Sequence, residues 1–166
     1  MRRLPADAPS SFDHSILISA PSERVLEAFF DPGALAVWWQ TTRSVTTPRP
    51  LGVYAVEWAP TPDADDVLGP LGGVFYGIVM EFIAGRELFV AEAWWLPPDG
   101  EPIGPMSFHV TCTVEAAACR LRIRQSGFED GARWRRYYSV IERGWHISMA
   151  ALKEFVETGA RPTSSG

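Results

Sequence analysis

The residues able to do chemistry in this sequence are few and scattered. Its three histidines are His14, His109 and His146. His14 lies near the N-terminus and His109 alternates onto the wet face of a strand. His146 stands about 100° off the apolar stripe of the helix that carries it. No pair of ligands has metal spacing, and there is neither a Gly-x-Ser-x-Gly elbow nor a phosphate loop. Glu81 shares strand parity with Phe75 and Val79, and an inward-facing carboxylate is a candidate base. Pairing with Arg124, or a place at the rim, is the favoured alternative. Ser126, beside Gly127, shapes a turn rather than attacking a substrate. Cys112 and Cys119 flank a hairpin turn and can approach each other, but they give no disulfide framework. Reduced thiols in a cytoplasmic protein are the expectation. No catalytic residue, metal or cofactor is assigned on these grounds, and non-enzymatic binding is favoured.

What the chain does hold in excess is aromatic rings. Seven Trp, nine Phe and four Tyr bring the aromatic fraction to 12%, against 21% charged residues. Positions expected to point inward are Trp58, Phe75, Phe108, Gln125, Tyr138, Trp145 and Met149, with Trp38 and Trp39 at one end. Tyr54 and Trp94 join them by strand parity. Ligand pockets are mostly apolar with a few placed polar groups. Here Gln125, Tyr138, Cys112 and the indole N–H groups are the candidates for that role. The plainer alternative is that these rings simply meet and fill the core.

The elements that must position these residues follow from periodicity. Residues 132–158 make one long amphipathic helix, about 40 Å at about 1.5 Å per residue. Its stripe is Trp134, Tyr138, Ile141, Trp145, Met149, Leu152 and Val156. The aromatic half, Trp134 to Met149, is expected to roof a pocket, and the aliphatic half to close the core. Asp130 is its candidate N-cap and Gly159 its stop. Upstream, residues 12–19 read as a strand. Pro21, Ser22 and Glu23 open a short helix that Asp31-Pro32-Gly33 ends, and residues 34–39 make one more turn.

From Ser44 the period becomes two, with strands at 53–58, 73–83, 87–96, 106–115 and 119–126. Residues 59–72 form an acidic loop, long for a hairpin connection. One face of the sheet is apolar and the other wet, as in antiparallel sheets. A helix with one apolar stripe must bury it across such a sheet. The expectation is therefore an α+β fold, with a curved antiparallel sheet of six to seven strands wrapped around the long C-terminal helix. Two short helices follow the first strand. Residues 12–158 form the single domain, 1–11 a flexible lead-in and 159–166 a flexible tail.

The net charge of −5 argues against nucleic acid or an anionic membrane surface as partner. No apolar run is long enough for a transmembrane helix, and the N-terminus lacks the apolar run of a signal peptide. Strand 73–83 is apolar on both parities, with Tyr76, Ile78, Met80 and Phe82 opposite Phe75, Val79 and Ile83. That predicts a homodimer through this strand.

Several stretches together resemble the SRPBCC, or START-like, helix-grip superfamily of lipid-transfer, cyclase and pollen-allergen-like proteins. They are Ile16 to Val25 running through Ala28-Phe29 to Trp38-Trp39, the spaced Gly73, Phe75, Gly77, Val79 and Glu81, then Gln125-Ser126-Gly127-Phe128, and Gly144-Trp145 with Leu152 and Val156. Within that superfamily the chain looks most like the domain of homologues of the activator of the heat shock protein 90 ATPase. The resemblance implies a helix-grip fold enclosing a hydrophobic cavity. It departs from the pattern in the long acidic loop, and in Gln125, where many relatives carry His. The expected function is binding of a small hydrophobic ligand, aromatic or acyl, between the long helix and the sheet. The alternative is a cyclase- or hydrolase-like enzyme using Gln125, Tyr138 and Glu81. A chaperone partner is implied by the family resemblance alone and ranks low, because the chain lacks the separate upstream domain of the true co-chaperone.

Overall fold

A computed structural model describes residues 10–159. The expected lead-in and tail fall mostly outside the described residues. The first strand, β1, is Ser11–Ile18. Two short helices follow: α1, Ser22–Glu27, enters through Pro21, and α2 is Pro32–Trp38. Asp31-Pro32-Gly33 therefore starts a helix as well as ending one. The Asp31 carboxylate caps α2 by accepting from the Gly33 N–H at 3.2 Å, and Pro32 sits where a missing N–H costs nothing.

The sheet strands come next: β2 (Arg43–Thr46), β3 (Val53–Trp58), β6 (Gly73–Ile83), β7 (Glu87–Leu96), β8 (Ile103–Glu115) and β9 (Ala118–Ser126). Between β3 and β6, the residues expected to form an acidic loop contain two short paired strands, β4 (Ala64–Asp65) and β5 (Gly69–Pro70). The long helix α3 spans Ala132–Thr158 and ends on Gly159, whose φ of 71° is the left-handed conformation glycine tolerates. Its N-cap is Gly131 rather than Asp130. The Asp130 carboxylate instead accepts from the Gly131 N–H and from Arg135.

The main sheet has seven antiparallel strands in the order β1-β9-β8-β7-β6-β3-β2. It curves around α3, giving the helix-grip α+β architecture. The chain begins at one edge, crosses to the other through α1 and α2, and winds back until β9 pairs with β1.

Strand parity is interrupted twice, and both interruptions matter for function. The register between β6 and β7 shifts between Tyr76 and Ile78, and again between Val79 and Glu81. That between β7 and β8 shifts around Ala93, where Glu92 takes a φ of 50°. Each extra residue turns the following side chains to the opposite face. Val79 is therefore buried while Glu81 is exposed, and Trp95 rather than Trp94 is buried against α3. Gly77 sits within the irregular stretch. A methyl group there would lie 2.5 Å from Val90 Cγ1 and 2.9 Å from the Ala91 carbonyl, so the close approach of β6 to β7 requires glycine.

Core residues come from all three helices and the main sheet: Val25 and Leu26 of α1, Leu35 and Trp38 of α2, the inward side of the sheet, and Leu152 and Val156 of α3. Cys112 and Cys119 are both free and buried; their thiols interact diagonally across the β8–β9 hairpin. Among the described residues, no helix is long and apolar enough to cross a membrane.

Candidate ligand cavity

The site is built around the Trp145 indole, where α3 meets the sheet. Its ring stacks on Phe108 of β8 with centroids 5.3 Å apart, and it leans against Trp39 at 5.0 Å. Trp39 in turn lies flat on Trp38 at 4.8 Å and meets Trp58 edge-on at 5.1 Å. Four indole N–H groups here are tied to fixed acceptors. Trp38 donates to the Ala28 carbonyl and Trp58 to the Trp39 carbonyl, both at 2.8 Å. Trp95 donates to the Gly72 carbonyl at 2.7 Å. Trp145 donates to Gln125 Oε1 at 3.2 Å, and the Gln125 amide nitrogen meets the Met106 sulfur at 3.3 Å. Buried donors satisfied in this way lock ring orientation as well as position.

Beside the stack lies a cavity of about 370 Å³. Its roof is the stretch of α3 from Tyr137 to Ser148, with Ile141 and Gly144 between them. Phe75 of β6, Trp95 of β7 and Gln125 of β9 make the floor, and Trp39 and Trp58 close one side. The opposite wall comes from the segment between β3 and β6, through Thr61, Leu68, Leu71 and Gly72.

One carboxylate ties that wall to the long helix. Asp65 accepts from the backbone N–H groups of Val67 and Leu68 at 3.0 and 2.9 Å, which folds the turn. It also accepts from Arg136 Nε at 2.7 Å, which fastens the turn to α3. The Asp65 side chain is 5% exposed. The Arg136 contact, with the two backbone donors, draws its pKa down to about 2. Leu68 is thereby pressed in, at 3% exposed.

A buried polar group carried by the lining is the Tyr137 hydroxyl. Its ring is buried and stacks on Trp95 at 5.2 Å, yet the oxygen makes no hydrogen bond of ordinary geometry. Burial pushes the phenol's pKa up, and the neighbouring Gln125 amide only partly offsets this. Tyr137 is therefore a neutral, desolvated donor facing Gln125. An orphaned buried hydroxyl costs about 1–3 kcal/mol.

The fold thus places five of the expected ligand-binding residues in the cavity wall: Trp39, Trp58, Phe75, Gln125 and Trp145. Trp38, Tyr54, Phe108 and Met149 are buried behind it as core. Tyr54 is anchored there by donating to the Phe29 carbonyl at 2.8 Å. Two expected residues lie elsewhere. Trp94 is turned to the outer face by the β7 irregularity, where it pairs with Tyr76. Tyr138 packs edge-on against Phe128 and Phe12, on the β1 side of α3. Their sequence neighbours, Trp95 and Tyr137, take the cavity positions. Along the helix, Leu152 and Val156 close the core below the roof.

With this geometry in hand, comparison with known proteins is informative. The family model described as Activator of Hsp90 ATPase homolog 1-like protein matches residues 19–157. The chain belongs to this family. Several solved structures are similar to this Activator of Hsp90 ATPase homolog 1-like chain. One is protein CV1439 from Chromobacterium violaceum, at 25% identity and a TM-score of 0.68, covering 90% of this chain and 99% of that one. A second is the Aha1 dimer from Colwellia psychrerythraea, at 15% identity and a TM-score of 0.63, covering 90% and 97%. A third is DynU16, from the dynemicin biosynthetic locus, at 19% identity and a TM-score of 0.66, covering 93% and 49%. No curated protein sequence matches the chain significantly. The fold is consistent with a ligand-binding or a co-chaperone-like domain.

The Asp65–Arg136 tie makes the cavity wall acid-sensitive in a defined direction. Asp65 has a folded-state pKa of about 2, below the unfolded carboxyl value of about 3.9. Its stabilisation is complete above the unfolded value and is lost as pH falls between the two. Asp65→Asn should lower the urea midpoint at neutral pH, and the gap from wild type should shrink as pH falls from about 4 to about 2. A gap independent of pH would contradict this role for the carboxylate.

Proposed function

We propose that the chain binds a small hydrophobic ligand, aromatic or acyl, with one hydrogen-bonding group, in the cavity beside Trp145. The observation that carries this reading is the combination of an apolar space of about 370 Å³ with an unpartnered buried hydroxyl on Tyr137. The volume falls at the small end of the range for ligand sites. The ligand's apolar body lies between Trp39, Trp58 and Phe75, and its acceptor takes the Tyr137 proton beside Gln125. Of the groups considered for an enzymatic alternative, Gln125 alone is in the wall. Glu81 is exposed and Tyr138 lies on the other flank of α3.

The test is a thermal-shift and tryptophan-fluorescence screen against aromatic acids, acyl chains and phenolic compounds. Trp145→Ala should abolish binding, and Tyr137→Phe should weaken it about fivefold, the loss of one hydrogen bond of about 1 kcal/mol. A ligand bound equally well by both variants would place the site elsewhere, and a screen without a single binder would remove the proposal's support.

The outer face of the sheet supports a second reading, concerning assembly. Tyr76, Ile78 and Met80 of β6 are each 39–45% exposed. Val45 of β2 and Val53 of β3 lie beside them through the cross-strand register, and Trp94 is opposite Tyr76. We infer that a second copy of the chain covers this apolar face, an arrangement in keeping with the dimeric relative from Colwellia psychrerythraea. Sedimentation at tens of micromolar should give a dimer, which Ile78→Glu converts to a monomer. A wild-type monomer at that concentration would refute it.

A further inference from the structure

The flank of α3 opposite the cavity faces β1, and there the fold brings together two histidines that lie 132 residues apart. His14 projects from β1 toward the helix, while Glu142 and His146, one turn apart, project from α3. His14 Nε2 and His146 Nε2 each lie 3.4 Å from the same atom, Glu142 Oε1. The two imidazole centroids are 3.8 Å apart. Three ligand atoms, one from each residue, lie within 4.8 Å of one another.

These distances suit coordination better than hydrogen bonding. A gap of 3.4 Å is longer than the usual N–H···O separation of about 2.7–3.2 Å, and His14 Nε2 has no hydrogen-bond partner although it is shut off from solvent. Around a metal with bonds of about 2.0–2.1 Å, the edge of a tetrahedron is about 3.3 Å, close to both observed nitrogen–oxygen separations. The remaining edge closes by rotation of His146, whose side chain is 60% exposed. His14 is held from behind by stacking on Phe12 at 5.2 Å, and its side chain is only 13% exposed. One ligand is therefore fixed, one partly fixed and one adjustable.

We propose that His14, Glu142 and His146 form a binding site for one divalent transition-metal ion, Zn²⁺ being the ion best suited to two imidazoles and a carboxylate. The ion bridges β1 to α3, and water completes its coordination on the solvent side. Sequence spacing links only Glu142 with His146; the third ligand arrives through the β1–β9 pairing that lays β1 alongside the helix.

The test uses the tag-free full-length chain, stripped with chelator and titrated calorimetrically with Zn²⁺ alone, then with Co²⁺ followed by visible absorption. One equivalent should bind, with Co²⁺ giving the intense bands of a four-coordinate site. His146→Gln alters an exposed side chain and should fold normally by circular dichroism, yet lose affinity at least about tenfold. His14→Gln should do the same, and His109→Gln, on a different face, should bind like wild type. The absence of a stoichiometric heat for the wild-type chain would overturn the proposal. So would wild-type affinity in folded His146→Gln, or loss of the metal in His109→Gln.

Discussion

The spacing between α3 and the sheet is set by a pillar of rigid rings. Phe108, Trp145, Trp39 and Trp38 are stacked or tilted on one another, and Trp38 and Trp145 are held by hydrogen bonds from their indole N–H groups. Aliphatic side chains would change rotamer and let the helix settle onto the strands. Fused rings held by their N–H groups cannot adapt in that way, so the helix stands off at this point. The space beside the pillar follows from this constraint. It is closed further along, where Leu152 and Val156 meet the sheet directly.

The same helix serves two purposes on its two flanks. Toward β6 and β7, its residues roof the cavity, and Arg136 reaches out to hold the far wall through Asp65. Toward β1, polar contacts join the aromatic packing of Tyr138 on Phe12. Lys153 donates to the Leu17 carbonyl, Glu157 accepts from the Ser19 N–H, and Glu142 lies between His14 and His146. A helix tied by polar contacts along one edge can leave its other edge free to line an open space without losing its place.

The element order, the sheet's two-faced character and the long helix were legible because each rests on local periodicity. The errors in the site also have a common physical cause. Parity carries through a strand only while the register is unbroken, and the irregularities after Val79 and at Glu92 exchanged the faces of Glu81 and Trp94. On the helix, a wheel centred on Trp145 puts Tyr137 about 80° from Trp145, outside the stripe. It is buried nonetheless because Trp95 and the docked segment before β6 cover that flank. Nothing local in the sequence announces the Asp65–Arg136 tie or the approach of His14 to Glu142, since both depend on pairings set by the whole sheet. Gln125 was the exception. A polar residue at an inward position of an apolar strand is legible from parity alone, and it proved to be the acceptor for Trp145.

The central claim is that the pillar props open a largely apolar, accessible space beside Trp145, and a crystal pressurised with xenon tests it most directly, because apolar cavities take up the gas. The account predicts xenon between Trp39, Phe75, Trp145 and Tyr137, with the ring positions unchanged. Rings collapsed into mutual contact across that space, with no xenon among them, would contradict it.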